Sequence, residues 1–169
     1  MGVSGAGKSA IGSALAAHLG WRFLDADDYH PEANVARMAA GTALQDEDRW
    51  PWLARLNAML REDDARGASA VLACSALRQA YRDRLASGLS RVDVVFLNGS
   101  AALIRERLAD RRHRYMPASL LDSQFAALEP PQGAIEVDPA LTIDACVRRI
   151  SASIRARTRV SPTPPSRPR

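Results

Sequence analysis

The sequence predicts a single α/β domain in which helices pack around a parallel β-sheet. Short apolar stretches alternate along the chain with stretches of helical periodicity, and this alternation is typical of β-α-β units. A glycine-rich loop also opens the first predicted helix. A length of 169 residues, with 47% hydrophobic and 25% charged residues, fits one globular domain.

The first helix and the first strand follow from residue spacing. Ile11, Leu15 and Leu19 recur at every fourth position, which predicts a helix over residues 7–19 with one buried face. The short stretch 22–25, which reads RFLD, then predicts a strand. A helix followed closely by a strand is the first half of the expected alternation.

Two helices are predicted before the next strand. Residues 28–41 form a loop and then a short helix that ends at Gly41. Residues 46–49 are charged, and Pro51 suits the first turn of the following helix because proline lacks the N–H that this turn leaves unused. The apolar stripe of that helix consists of Leu53, Leu56 and Leu60.

The second half of the chain repeats the pattern. Residues 68–74 form a continuous apolar run, as expected of a strand that is buried on both faces. Further strands are predicted at 92–97 and 134–137. The intervening helices are predicted over 77–85, from the capping residue Ser100, over 117–128 and over 142–157.

Composition excludes several classes of protein. No apolar run approaches the roughly 20 residues of a membrane span, and no secretory signal is visible, so we expect no membrane association. Cys74 and Cys146 are too few for a disulfide framework, and we expect both to be reduced in the cytoplasm.

The net charge of +4 reflects the C-terminal end of the chain rather than its body. Seven arginines and no acidic residues follow position 147, and the remainder is slightly acidic. We predict a folded domain over 1–157 and a disordered basic tail over 158–169, rich in Pro, Ser and Arg. We expect this tail to be solvated, without a nucleic-acid partner.

A phosphate-binding loop is the most specific motif. Residues 2–9 match G-x-x-x-x-G-K-[ST] in full, and such a loop turns successive backbone N–H groups toward one anion at a helix N-terminus. Lys8, the single lysine of the chain, is expected to reach the β- and γ-phosphates of ATP, and Ser9 to hold Mg²⁺. The predicted nucleotide-binding residues of the loop are Gly2, Ser4, Gly5, Ala6, Gly7, Lys8 and Ser9.

The strand that should precede this loop is short. Such loops follow a buried strand in the middle of the sheet, yet only Met1 precedes Gly2. Without that strand, the backbone edges of its two neighbours would be exposed. We therefore expect that the natural polypeptide starts upstream of Met1, and that a polypeptide that starts at Met1, if it folds, has low stability and weak activity.

A second polar site is predicted where the strand at 22–25 ends. Ligands bind at the carboxyl ends of strands in open α/β sheets, so Asp25 and Asp27 should face the phosphate loop. We predict that Asp25 contributes to Mg²⁺ binding, and that Asp27 orients a substrate hydroxyl or accepts its proton. His30 follows closely and is predicted to contact the substrate.

Several motifs together resemble the gluconokinase family, in the shikimate-kinase-like branch of the P-loop small-molecule kinases. The resemblance runs from residue 2 to about 150. The motifs that carry it are MGVSGAGKS at 1–9, LDADDYHPEAN at 24–34, ARMAAGTAL at 36–44, DEDRWPWL at 46–53, CSALRQAYRD at 74–83 and LLDSQFAALEPP at 120–131.

The resemblance implies both a fold and an activity. The implied fold is a three-layer αβα P-loop kinase with a parallel sheet of order 2-3-1-4-5, in which strand 1 is the truncated one. The implied activity is ATP- and Mg²⁺-dependent phosphorylation of D-gluconate to 6-phospho-D-gluconate, and members of the family are often homodimers.

The residue pattern agrees with an acceptor that carries a carboxylate and many hydroxyls. Arginine can bind a carboxylate through two parallel hydrogen bonds, and Arg49 and Arg78 are placed to do so. Ser75 follows the apolar run at 68–74, where its hydroxyl can contact substrate. Surface ion pairs are the alternative interpretation for both arginines.

An arginine-rich segment marks the expected lid, at about 111–118. Arg107, Arg111 and Arg114 share one helical face, and we predict that Arg111 and Arg107 stabilise charge on the transferring phosphoryl group. The segment reads RRHRYM, so His113 and Arg114 replace the Gly and His that the family usually carries. We assign no catalytic role to His113.

Two alternatives remain open from the sequence. The first is another small-molecule kinase on the same scaffold, of the shikimate or nucleoside monophosphate type. The second is a nucleotide-binding protein without turnover, which the truncated strand and altered lid would explain.

Overall fold

The structure is a computed structural model in which residues 1–110 and 118–160 are described. These residues form seven α-helices, four β-strands and one 3₁₀ turn. The strands are β1 (Arg22–Asp25), β2 (Ala70–Ala73), β3 (Val95–Leu97) and β4 (Ile135–Val137), and the 3₁₀ turn is Ala26–Tyr29. The helices are α1 (Lys8–Leu19), α2 (Glu32–Ala39), α3 (Asp46–Ala65), α4 (Gln79–Ala86), α5 (Ala101–Asp110), α6 (Ala118–Ala127) and α7 (Ile143–Val160).

The strands pair in parallel, as the alternation of elements predicts. β1 pairs with β2, with Leu24 opposite Leu72, and β3 pairs with β4, with Phe96 opposite Glu136. The α/β class and the parallel pairing are therefore confirmed. In the described residues the strands form two separate two-stranded sheets, and the single five-stranded order stays a prediction.

Residues at the start of the chain bridge the two strand pairs. The backbone N–H of Gly2 donates to the carbonyl of Ser75, just after β2, at 3.3 Å. On the other side, the carbonyl of Met1 accepts from the N–H of Leu97 in β3 at 3.0 Å. Below this bridge lies a cavity of about 750 Å³, lined by residues of both β2 and β3. The cavity therefore lies between the two strand pairs.

Two apolar clusters hold the domain together. The larger joins α1, α5 and α7 to β3 and β4, with Ile104 and Cys146 completely buried. The smaller lies between α3 and α4 and includes Leu53, Leu56 and Tyr81. The phosphate loop borders the first cluster and the turn after β1 borders the second, so each part of the site rests on its own core.

Two element boundaries differ from the prediction. α3 begins at Asp46, so Pro51 lies inside the helix rather than in its first turn. Acidic side chains are favourable in a first helical turn, and the carboxylate of Asp48 accepts from the N–H of Gln45 at 2.9 Å. α7 extends to Val160, so residues 158–160 belong to the last helix and not to a tail.

Two expectations about the environment can be compared with the structure. Cys74 and Cys146 are both free, as predicted, and both are also buried. Within residues 1–110 and 118–160, no helix is both long and apolar enough to cross a membrane.

Candidate active site

The phosphate loop owes its shape to glycines in backbone conformations that other residues avoid. Gly2, Gly5 and Gly7 have φ angles of 144°, 85° and 90°. A Cβ on Gly2 would lie 2.9 Å from the carbonyl oxygen of Leu97, and one on Gly5 would lie 3.1 Å from Ile104. The loop is therefore packed directly against β3 and α5, and Gly7 leads it into the N-terminus of α1.

Side chains around the loop fix it further. The Lys8 ammonium donates to the carbonyl of Val3 at 3.1 Å, which holds the lysine over the loop. Gln124 of α6 contacts Ser4 twice: its Oε1 accepts from the Ser4 N–H at 2.7 Å, and its Nε2 donates to the Ser4 hydroxyl at 3.2 Å. Ser9 lies exposed on the first turn of α1. Gln124 was not predicted, because nothing in its local sequence indicates a contact 120 positions away.

A second cavity of about 310 Å³ opens beside Gly7. Arg107 of α5 lies on one wall, and its guanidinium donates to the carbonyl of Pro139 at 2.5 Å. The remaining wall residues are Ala10, Ile11, Leu141 and Ile143. A cavity with five apolar side chains and one planar cation in its walls suits a flat heteroaromatic ring next to bound phosphates.

The turn after β1 places the predicted acidic residues. One carboxylate oxygen of Asp25 accepts from the N–H of Asp27 at 3.2 Å, and Asp27 itself is exposed. Trp52 of α3 donates its indole N–H to the carbonyl of Ala26 at 2.9 Å and stacks on His30 with ring centroids 4.1 Å apart. Trp52, which the sequence did not single out, thus fixes both the acidic turn and the histidine.

Backbone geometry shows that the two predicted sites converge. The Gly2 N–H in the phosphate loop donates to the carbonyl of Ser75 at 3.3 Å, and Asp25 lies opposite Ala73 in the parallel pairing of β1 with β2. The phosphate loop and the acidic turn therefore both lie at the carboxyl end of β2, where burial raises the pKa of the Cys74 thiol to about 11. Burial lowers the pKa of His30, an effect that Asp27 opposes and Arg49 reinforces.

Arg49 and Arg78 meet at one aromatic ring. Their guanidinium carbons lie 5.6 Å and 5.9 Å from the ring centroid of Tyr81. Both also pair with Asp46, at 3.5 Å and 3.0 Å respectively. We name the set Asp27, His30, Arg49 and Arg78 the polar face. Sequence reasoning found these four residues but missed Asp46 and Tyr81.

The turn between β2 and α4 brings Ser75 and Arg78 to this region. Ala76 adopts the left-handed conformation with φ 43°, although it is not a glycine, and it is buried. Such strain persists where surrounding contacts hold it, and it recurs at functional sites. The Ser75 carbonyl accepts a hydrogen bond from the Gly2 N–H, so Ser75 lies next to the phosphate loop. It therefore borders both parts of the site.

Comparison with known proteins agrees with this geometry. The chain matches the AAA domain family over residues 1–131. It is 46% identical over 172 residues to a probable gluconokinase of Rattus norvegicus, covering 91% of this chain and 92% of that protein. It is also 46% identical over 131 residues to a gluconokinase of Gluconobacter oxydans, covering 78% and 74%. The chain belongs to the gluconokinase family.

Solved structures support the same assignment. The crystal structure of a gluconokinase from Sinorhizobium meliloti superposes with a TM-score of 0.82 at 37% identity, covering 95% of each chain. The P-loop kinase fold that the resemblance implies is thereby confirmed.

Two predicted features of this gluconokinase-family site, the lid and the metal site, stay predictions. Arg111, and the predicted lid up to residue 117, lie outside the described residues. Within the described residues, no group of three or more His, Cys, Asp or Glu side chains is arranged to hold a metal ion. The Ser9 hydroxyl on α1 nevertheless suits a cation that prefers oxygen ligands, and so does the Asp25 carboxylate oxygen that does not accept from Asp27. Such a cation takes most of its ligands from phosphate and water.

Proposed function

We propose that the protein transfers the γ-phosphoryl group of ATP to the terminal hydroxyl of D-gluconate, forming 6-phospho-D-gluconate and ADP. The observation that carries the proposal is that the phosphate loop and the acidic turn lie at the same strand end: the Gly2 N–H donates to the Ser75 carbonyl just after β2 at 3.3 Å, and Asp25 lies opposite Ala73 at the end of β2. The loop that carries a phosphate-binding lysine and the turn that carries a carboxylate suited to a hydroxyl thus meet at one strand end. The names of the relatives supply the acceptor, since they are gluconokinases.

The nucleotide would bind along the phosphate loop. Backbone N–H groups of the loop and the positive end of α1 would hold the phosphates, and the cavity beside Arg107 would take the adenine ring. Ser9 and Asp25 would hold Mg²⁺, which when bound would neutralise phosphate charge. Gly2, Gly5 and Gly7 keep the backbone open to that approach.

The acceptor would bind on the polar face. Arg49 and Arg78 would hold its carboxylate, and His30 and Ser75 would contact its hydroxyls. Asp27 would orient the terminal hydroxyl and take its proton as the new O–P bond forms and the bond from the γ-phosphorus to the β-phosphate oxygen breaks. Lys8 would stabilise the charge that spreads over the transferring group, and Arg111 of the lid would assist it.

We further propose a cytoplasmic setting, where ATP is available, with no membrane or nucleic-acid partner. The homodimer that the resemblance implies stays a prediction.

A coupled assay of ADP formation tests the activity. The protein should consume ATP with D-gluconate and not with shikimate or nucleoside monophosphates. The product should be identified by mass spectrometry as the 6-phosphate. Turnover with shikimate or a monophosphate in place of gluconate would contradict the proposal, as would ATP binding without any product.

A further inference from the structure

Asp46 and Tyr81 form a compact hydrogen-bonded pair beneath the two arginines of the polar face. The Tyr81 hydroxyl donates to one carboxylate oxygen of Asp46 at 2.6 Å, and the other oxygen accepts from the Arg78 guanidinium at 3.0 Å. Arg49 approaches the same carboxylate at 3.5 Å and the Tyr81 oxygen at 3.4 Å. We call these four residues the Asp46 cluster.

The anchor of the cluster is rigid. Tyr81 is only 7% exposed and packs in the apolar cluster between α3 and α4, with Trp50 against the edge of its ring. Asp46 stands at the start of α3, where the helix dipole favours a carboxylate. A buried phenol and a helix terminus therefore set the position of the carboxylate independently of the two arginines.

The arginines are held on one side only. Each uses a single terminal nitrogen, Nη1, in its contacts with the cluster. A guanidinium has five N–H donors. In the described part of the chain, the remaining donors of Arg49 and Arg78 make no hydrogen bond, and their side chains are 29% and 46% exposed. Arg49 and Arg78 thus both have unused, partly exposed N–H donors beside the ring of Tyr81.

The charge of the cluster favours an anion. Two guanidinium groups share one carboxylate, so a positive charge is left over. Ordinary surface ion pairs contribute little to stability and do not explain why two like charges share a buried tyrosine ring. A site for a carboxylate explains both the surplus charge and the outward donors, because arginine binds carboxylates with paired N–H groups.

We infer that Asp46 and Tyr81 are positioning residues that hold Arg49 and Arg78 as a preformed clamp for the carboxylate of the acceptor. The inference rests on the proposed function, since that function supplies an acceptor with a carboxylate. It adds two residues, from α3 and α4, that do not themselves touch the substrate. Their effect is to keep the two guanidinium groups in one geometry before the substrate arrives.

The protonation states of the pair support a constant charge. The Tyr81 hydrogen bond, followed by the neighbouring Arg78 and Arg49, lowers the pKa of Asp46. Burial first, and then the bond to Asp46, raises the pKa of Tyr81. Asp46 is therefore ionised and Tyr81 protonated throughout the neutral range, so the clamp does not lose its anchor there.

Two variants test the inference through the split between KM and kcat. Asp46→Asn removes the charge that orders both arginines, and Tyr81→Phe removes only the hydroxyl and keeps the net charge. We expect KM for D-gluconate to rise about tenfold and about threefold, respectively, with kcat and KM for ATP nearly unchanged. Glu47→Gln, the same charge change at an exposed position of the same helical turn, is the matched control and should leave KM unchanged.

D-Gluconamide, which replaces the carboxylate by an uncharged amide, separates positioning from general damage. The preference of the wild-type protein for gluconate over gluconamide, as a ratio of kcat/KM values, should fall about tenfold in Asp46→Asn. An equal loss with both acceptors would overturn the inference. So would a lower KM for gluconate in Asp46→Asn, because Asp46 would then compete with the substrate for the arginines.

Calorimetric titration with D-gluconate keeps this inference distinct from the proposed function. If the wild-type protein binds gluconate without phosphorylating it, and Asp46→Asn weakens that binding, only the proposed function fails. If turnover is observed and both variants bind gluconate normally, only the clamp fails. A wild-type protein that neither binds nor phosphorylates gluconate would reject both.

Discussion

The phosphate loop and the polar face differ in the chemical groups that form them. The loop is made of consecutive backbone groups, shaped by Gly2, Gly5 and Gly7 and packed on β3 and α5. The polar face is made of side chains from the β1 turn, α3 and the segment before α4, which are held by hydrogen bonds and ring contacts with Asp46, Tyr81 and Trp52. A backbone site is specified by a short stretch of sequence, whereas a side-chain site depends on how distant elements pack.

The largest expected effect comes from the lysine side chain of the phosphate loop. Lys8→Met keeps the length of the side chain but removes its charge, so kcat should fall about 10³-fold because the spreading phosphoryl charge loses its cation. The melting temperature without ATP should change little, since the lysine is only partly buried. Coupled-assay kinetics beside a thermal melt measure both. Near-normal turnover would contradict the role of Lys8.

Asp27→Asn is the corresponding test of the polar face. We expect kcat to fall about 10²-fold, because the amide can still orient the hydroxyl but cannot take its proton. Asp28→Asn, at the next and equally exposed position of the 3₁₀ turn, is the matched control and should change kcat less than twofold. Equal effects of the two substitutions would indicate that only the charge of the turn matters.

A substitution at Gly2 tests how far the loop depends on its backbone conformation. Gly2→Ala should lower the free energy of unfolding by about 2 kcal/mol, because its Cβ would meet the carbonyl of Leu97 in a backbone region that alanine avoids. Gly20→Ala has a positive φ as well, but nothing lies within 4 Å of the added Cβ. Urea denaturation should therefore show a clearly smaller loss for Gly20→Ala. An equal loss would mean that strain alone, and not contact with β3, accounts for the effect.

Gln124 is the exception to the contrast, since it is a side chain that supports the loop. Gln124→Ala should raise KM for ATP about twofold through loss of its contacts with Ser4. Gln124→Glu should raise it about fivefold, because a carboxylate there would also repel the phosphates. Titration with an ATP analogue would measure the affinities. The reverse order of the two substitutions would show that the amide acts only by filling space.

The smallest expected effect is a dependence of stability on pH at His30. Burial lowers the pKa of this histidine below its unfolded value of about 6.5, so the unfolded state binds more protons just below that pH. The free energy of unfolding should therefore fall as pH drops from 7 toward 5. His30→Phe keeps a ring to stack on Trp52 and should flatten this slope. His18→Gln, on the exposed side of α1, is the control and should not.

The same contrast explains what the sequence could predict. The phosphate loop, the first helix and the acidic turn each lie within a few consecutive residues, so spacing and residue type were sufficient. The bonds of Asp46 to Arg78 and to Tyr81 join residues 32 and 35 positions apart, and their formation depends on the packing of α3 against α4. The cavity beside Arg107 was missed for the same reason, since Pro139 and Leu141 come from the segment before α7.

Element boundaries show the limit in another way. Pro51 suggested a helix start, yet α3 begins at Asp46, where an acidic first turn and the Asp48 contact with the Gln45 N–H mark the N-terminus. The strands β2 and β3 are shorter than the apolar runs that predicted them. Apolar runs report burial, while strand assignment requires hydrogen-bonded neighbours, and β2 and β3 border a cavity on one side.

The lysine above the phosphate loop offers a spectroscopic opportunity. Lys8 is the one lysine among 169 residues, since every other basic side chain of the Lys/Arg type is an arginine. Incorporation of isotopically labelled lysine would therefore give a single side-chain NMR signal. The ammonium group of this lysine lies 3.1 Å from the carbonyl oxygen of Val3. That signal needs no assignment, and its shift on addition of nucleotide would follow occupancy of the loop directly. For the same reason, a reagent selective for lysine side chains would label the protein at one known position.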